Sequence, residues 1–202
     1  MEKETSPASS GFKLIDPKSA KGRLLVTAAK LFNEKGYERC TVRDLASAVG
    51  IQSGSIFHHF KTKEAILRAV MEETILLNTE LMKAALLQSN TPEDKVLALI
   101  QCELESVLGD TGAAMTVLVY EWRSLKEESQ KHILSLRSIY ENLWISALSE
   151  AKEAGSVVID PSVLRRLLTG ALSWTVNWYR QEGDMTVDQL AKMTLSLAIK
   201  PT

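Results

Sequence analysis

Proline limits how far a helix can run, because it lacks an amide proton and its ring clashes with the preceding turn. In this chain of 202 residues it occupies only positions 7, 17, 92, 161 and 201. Residues 18–91 and 93–160 are therefore proline-free stretches of 74 and 68 positions, room for long helices. Glycine is also sparse, and Gly36, Gly50, Gly155 and Gly183 fall where periodic apolar segments end. The β-branched run at 156–159 is too short to found a sheet. The sequence predicts an all-α fold of about nine helices.

The periodicity divides the chain. Residues 1–17 are polar, with proline, serine and glycine, and read as a flexible N-terminal arm. A helix over 20–35 carries Leu24, Ala28, Leu31 and Phe32 and stops at Gly36. A second, shorter helix follows Thr41, which caps it while Asp44 answers three residues later. A third starts near Ser53, and Thr62 caps a long helix to about residue 88. Further helices are expected near 92–108, 113–125, 127–154, 161–182 and 186–199. This gives a head at 18–63 and a body at 64–202.

Charge separates along the same line. The net charge of -1 hides ten Lys/Arg against four acids over 13–63, or +6, and thirteen against nineteen over 64–202, or -6. A basic head on an acidic body suits a protein that touches nucleic acid with one end only. Two cysteines cannot make a disulfide framework and point to a reducing compartment. No apolar run approaches the roughly 18 residues of a membrane span, and the first residues lack a secretory apolar core. The expectation is a soluble cytoplasmic protein.

In the head, two short helices joined by a tight turn at Gly50 read as a helix-turn-helix. Gly50 supplies a positive φ, and Ala46 is small where the second and third helices cross. Ile51, Ile56 and Phe60 are expected to face inward against Leu24, Phe32, Leu45 and Val49. That leaves Gln52, Ser53, Ser55, His58 and His59 on the outer side of the third helix, where short polar side chains reach base edges in a major groove. Thr41 and Lys63, at helix starts, are placed to hold phosphates. Adjacent helical residues point about 100° apart, so His58 and His59 are poor joint metal ligands. Cys40, beside a helix start, reads either as a redox-sensitive thiol or as a small buried spacer.

These residues carry a family resemblance. Residues 24–67 contain Ala-x-x-Leu-Phe, Gly-Tyr, Thr-Val-Arg-Asp-Leu-Ala, Val-Gly, Gly-Ser-Ile-Phe-x-His-Phe and Lys-x-Lys-Glu. Over more than forty positions the segment resembles the TetR family of bacterial transcriptional regulators. The resemblance adds Arg43, Gly54 and Phe57 to the DNA-facing set. Phe57 lacks the phenolic hydroxyl that family members often place there. The resemblance also implies a homodimer presenting two heads to a near-palindromic operator on double-stranded DNA.

The body holds all four tryptophans. Around 161–183 one helical stripe carries Val163, Leu167, Gly170 and Trp174, and another, about 100° away, carries Leu164, Leu168, Ala171 and Thr175. We assign the second stripe, with Val187, Leu190, Thr194 and Leu197 of the last helix, to a dimer interface in a four-helix bundle. A monomer whose last helices pack on its own core remains open. The segments around Trp122–Arg123, Arg137–Tyr140–Trp144 and Trp174–Asn177–Trp178 resemble C-terminal domains of TetR regulators of fatty-acid and sterol catabolism. That resemblance implies an acyl-CoA effector, its acyl or polycyclic group among tryptophans and its phosphates on Arg123 or Arg137.

The residues argue against an enzyme: three histidines, no glycine-rich phosphate loop, no paired-cysteine metal spacing and no nucleophile elbow. No metal or other cofactor is expected. The reading is a ligand-responsive repressor released from DNA by a small hydrophobic effector. Its alternatives are a regulator of a drug-efflux gene sensing a cationic or other non-CoA ligand, and a sequence-indifferent architectural DNA binder.

Overall fold

In a computed structural model of the chain, residues 14–200 are described. They form α1 (Ala20–Lys35), α2 (Val42–Val49), α3 (Ser53–His59), α4 (Lys63–Leu87), α5 (Pro92–Leu108), α6 (Gly112–Tyr120), α7 (Glu127–Glu153), α8 (Pro161–Trp174) and α9 (Val187–Ala198). There is no β-strand among the described residues. Capping boxes start α2 (Thr41–Asp44), α5 (Thr91–Asp94) and α9 (Thr186–Gln189). Each pairs helix-end amides that would otherwise lack partners. Gly50, at φ 76°, takes the left-handed conformation that closes α2 and lets the chain reverse into α3.

Two expected helices are shorter than their apolar patterns. The segment 113–125 stops at Tyr120, and a 3-10 turn follows at Trp122–Ser124. The carboxylate of Glu121 is drawn away to the Tyr37 amide (3.0 Å) and the Ser124 hydroxyl (3.0 Å). The segment 161–182 stops at Trp174 and tightens into a 3-10 turn over Thr175–Asn177. There the Thr175 hydroxyl donates to the Leu172 carbonyl at 2.6 Å, competing with the helix ladder.

Of the expected arm, residues 1–13 lie outside the described residues. Its last part is not loose: Leu14 and Ile15 are half-buried, and the Ile15 amide donates to Glu73 on α4 at 2.9 Å.

Two apolar clusters fill the interior. The first joins α1–α3 and the N-terminal half of α4 to Val117, Leu125, Ile133 and Leu136. The second joins Met82 to α5, the C-terminal half of α7, α8 and α9. Tyr140 packs against both. Helix α4, with 25 residues, crosses from one cluster to the other and buries Ile66 and Leu67 at one end and Met82 at the other.

The interface assignment on α8 and α9 needs correction. Leu164, Leu168, Thr175 and Leu190 are 3%, 6%, 3% and 7% exposed, so they belong to the protomer's own core. Val187 and Thr194 are half-buried. The uncovered face is the other stripe: Val163, Leu167, Gly170 and Trp174 on α8, with Met193 and Leu197 on α9. Of the assigned residues only Ala171 and Leu197 lie on it. Leu164→Ala is expected to lower the unfolding free energy by about 2–5 kcal/mol in urea denaturation. A loss under about 1 kcal/mol would show that this side chain does not anchor the core.

Candidate nucleic-acid interface and effector cavity

Helix α3 is held from beneath by Ile56 (0% exposed), and Phe60 (7% exposed) caps its end. Its outer side presents Gln52, Gly54, Phe57, His58 and His59 to solvent, with Ser53 and Ser55 half-exposed. Arg43 is exposed on the neighbouring α2. A Cβ built on Gly54 meets nothing within 4 Å, so nothing inside the protomer requires glycine there. Glycine near a helix start costs stability relative to alanine. What it leaves is bare backbone on the outward face. Ile51 differs from expectation: it is 38% exposed, because the turn at Gly50 swings it out beside Gln52.

The two proposed phosphate holders are engaged internally. The Thr41 hydroxyl donates to Asp44 Oδ2 at 2.6 Å and accepts from the Asp44 amide at 3.1 Å. The Lys63 ammonium donates to the carbonyls of Tyr37 (2.8 Å) and Cys40 (3.0 Å). It also lies 4.0 Å from the centre of the Tyr37 ring. Two carbonyls and a ring face on one loop already engage that cation, so Lys63 fastens α4 to the α1–α2 connection. Cys40 sits beneath the same loop, fully buried, and burial pushes its thiol pKa up. It is a packed spacer, not a reactive thiolate.

In the body, α4, α5, α6, α7 and α8 enclose a cavity of about 160 Å³. Its apolar wall is Ile75, Met115, Leu118 and Val119, and its polar wall includes Thr74, Asn78, Glu103 and Tyr140. Arg137, Arg165, Thr169 and Ser173 lie on both this cavity and a wider outer vestibule, which adds Tyr120, Glu141, Arg166 and Trp174. Glu141 faces Arg165 at 3.4 Å and Arg137 at 3.8 Å. Three guanidinium groups against one carboxylate leave the vestibule cationic.

Glu103 is the unusual group. Only 2% of it is exposed, and it accepts a hydrogen bond from the Tyr140 hydroxyl. Burial pushes its pKa up to about 7, against the opposing pull of the Tyr140 bond and of Arg137 and Arg165. Burial and the adjacent carboxylate push the Tyr140 phenol upward as well.

Of the expected ligand residues, the structure brings together Arg137 and Tyr140 at the cavity and Trp174 at the vestibule. Trp144 is fully buried in the second cluster, and Trp122 packs against the first. Arg123, Asn177 and Trp178 are exposed. None of these five lines the cavity or the vestibule. Sequence reasoning followed the aromatic residues and, apart from Arg137 and Tyr140, missed the polar lining, Asn78, Glu103, Arg165 and Arg166 among it. The available signal was Glu103, a charge on the α5 stripe of Val96, Leu99, Ile100 and Val107, and Asn78 on the buried side of α4.

Comparison with known proteins fits this architecture. Residues 24–70 match the family model "Bacterial regulatory proteins, tetR family", and residues 89–201 match "Tetracyclin repressor-like, C-terminal domain". The HTH-type transcriptional repressor KstR2 of Rhodococcus jostii is 33% identical over 87% of each chain. A solved structure described as superantigen pfit is 56% identical over 93% of each chain, with a TM-score of 0.82. AibR in complex with isovaleryl coenzyme A and operator DNA is 23% identical, covers 91% of this chain and 100% of that one, and has a TM-score of 0.82. At that identity the AibR likeness speaks for the fold alone.

The Glu103 carboxyl makes a definite pH signature. Its folded pKa is raised, so the folded state holds the proton more tightly and stability falls as pH rises from its usual range near 4.5 to about 7. The difference amounts to about 3 kcal/mol. Glu103→Gln is expected to flatten that slope and to be the more stable protein at pH 8, by urea denaturation across pH. Parallel pH profiles for the two proteins would contradict the assignment.

Proposed function

The chain belongs to the TetR family of bacterial regulatory proteins and is a DNA-binding regulator; on that premise we propose that it is a homodimeric repressor released from its operator by an acyl-CoA thioester. The observation that carries the effector class is the cationic vestibule over the body cavity. Arg137, Arg165 and Arg166 suit the phosphates of a CoA headgroup, and the cavity behind them suits the acyl group. The same arginines disfavour the cationic ligand of the efflux-type alternative. The volume also sets a size. About 160 Å³ is close to the ~150 Å³ of a cavity that encloses benzene, which favours a short branched or single-ring acyl group over a long chain.

In this reading α3 enters the major groove, and Gln52, Ser55, His58 and His59 meet base edges while Arg43 meets phosphate. The uncovered apolar face of Val163, Leu167, Trp174, Met193 and Leu197 pairs with its copy about a two-fold axis. Two routes lead from cavity to head. Met115, Leu118 and Val119 line the cavity on α6, and just beyond them Glu121 holds the Tyr37 amide. Thr74, Ile75 and Asn78 line it on α4, whose first residue, Lys63, holds the carbonyls of the same loop. An effector that fits only one arrangement of α4 and α6 shifts the population toward heads mismatched to successive grooves. The superantigen description applies to the pfit protein; the outward face of α3 and the family models support DNA binding for this chain.

The test is a gel shift on DNA selected from a random pool. Cyclohexanecarbonyl-CoA is expected to release the complex and free CoA to leave it, while Gln52→Ala or His59→Ala weakens binding by about 1–3 kcal/mol without changing dimer mass. Release by a cationic drug but by no acyl-CoA would replace this reading with the efflux-type one.

A further inference from the structure

The inner cavity holds two deeply buried side chains with polar atoms left over. Glu103 is 2% exposed and Asn78 is 4% exposed, and both line the cavity. One carboxylate oxygen of Glu103 accepts from the Tyr140 hydroxyl; the other has no hydrogen-bond partner among the described residues. Asn78 Oδ1 accepts from the Ser106 hydroxyl at 2.8 Å, which directs its amide nitrogen away from Ser106. That nitrogen, a two-proton donor, likewise has no partner among the described residues. Glu103 and Asn78 line the same cavity, one from α5 and the other from α4.

A bare hydrocarbon placed there would leave both groups desolvated and unmatched, which a binding site cannot tolerate cheaply. A ketone accepts from Asn78 but offers nothing to Glu103 once that group is ionised, above pH about 7. An ammonium donates to Glu103, offers nothing to Asn78 and faces Arg137 and Arg165. A hydroxyl group does both jobs, donating to Glu103 and accepting from Asn78.

We propose that the effector's acyl group bears a hydroxyl on the portion remote from the thioester, seated between Glu103 and Asn78. The proposal rests on the acyl-CoA reading of the vestibule and narrows it to a hydroxyacyl-CoA. Glu103 and Asn78 then determine specificity, while Arg137, Arg165 and Arg166 hold the headgroup common to all acyl-CoAs.

The measurement is calorimetric titration of the full-length protein with 4-hydroxycyclohexanecarbonyl-CoA and with cyclohexanecarbonyl-CoA. The wild-type chain is expected to bind the hydroxylated thioester about tenfold more tightly or better. Glu103→Met and Asn78→Leu, each checked for cooperative thermal unfolding, bring the two affinities to within about twofold. Equal wild-type affinities overturn the hydroxyl proposal and leave the acyl-CoA reading standing. Failure of both thioesters to bind the wild-type chain overturns the acyl-CoA reading and the hydroxyl proposal together. A hydroxyl preference that survives in both variants overturns the assignment to Glu103 and Asn78.

Discussion

The grip of Lys63 on the α1–α2 loop ties the two halves of this molecule together. One ammonium group holds the carbonyls of Tyr37 and Cys40 and lies over the Tyr37 ring. It sits at the first residue of α4, whose far end is buried in the second cluster around Met82. The head is thus anchored on a helix that also walls the body cavity through Thr74, Ile75 and Asn78. In the proposed function, a displacement of α4 reaches the loop that leads into α2 and α3 through this contact. The Glu121 contact with the Tyr37 amide makes the same connection from α6. Packed interiors rearrange between discrete states, so a small push at the cavity can move the head as a unit.

Charge is arranged at two scales. The +6 of residues 13–63 against the -6 of 64–202 directs DNA to the head and away from the body. Within that acidic body, Arg137, Arg165 and Arg166 form a local basic mouth, and Glu141 answers only part of it. Behind them Glu103 is buried at a cost that shows in its raised pKa. A carboxyl kept there against its solvation preference does little for the core. It makes sense as a contact for something that enters.

Much of the head was legible in the sequence, because its signals are local. Thr41 and Asp44 lie three residues apart, Gly50 marks the left-handed turn, and Ile56 and Phe60 repeat at helical spacing. The internal grip of Lys63 was hidden because its acceptors are backbone carbonyls 23 and 26 residues away, which no spacing rule reveals. Both apolar stripes of α8 were visible, but periodicity fixes a face relative to its own axis and does not say which neighbour covers it. Leu164 and Leu168 went inward against α5 and α7, leaving Val163 and Leu167 uncovered. The cavity was least legible. Five helices contribute to it, and its distinctive residues are Asn78 and Glu103, while Trp144 fills core and Trp178 faces solvent.

The central claim is that occupancy of the body cavity controls the head through contacts on the Tyr37 loop. It is tested most directly by the coupling free energy between effector and operator, from DNA affinities measured with and without saturating effector. Glu121→Leu removes the acceptor of the Tyr37 amide and touches neither α3 nor the cavity polar groups. The account predicts that this variant binds operator and effector singly about as well as the wild-type chain, with a clearly reduced coupling. Full wild-type coupling in Glu121→Leu would contradict it.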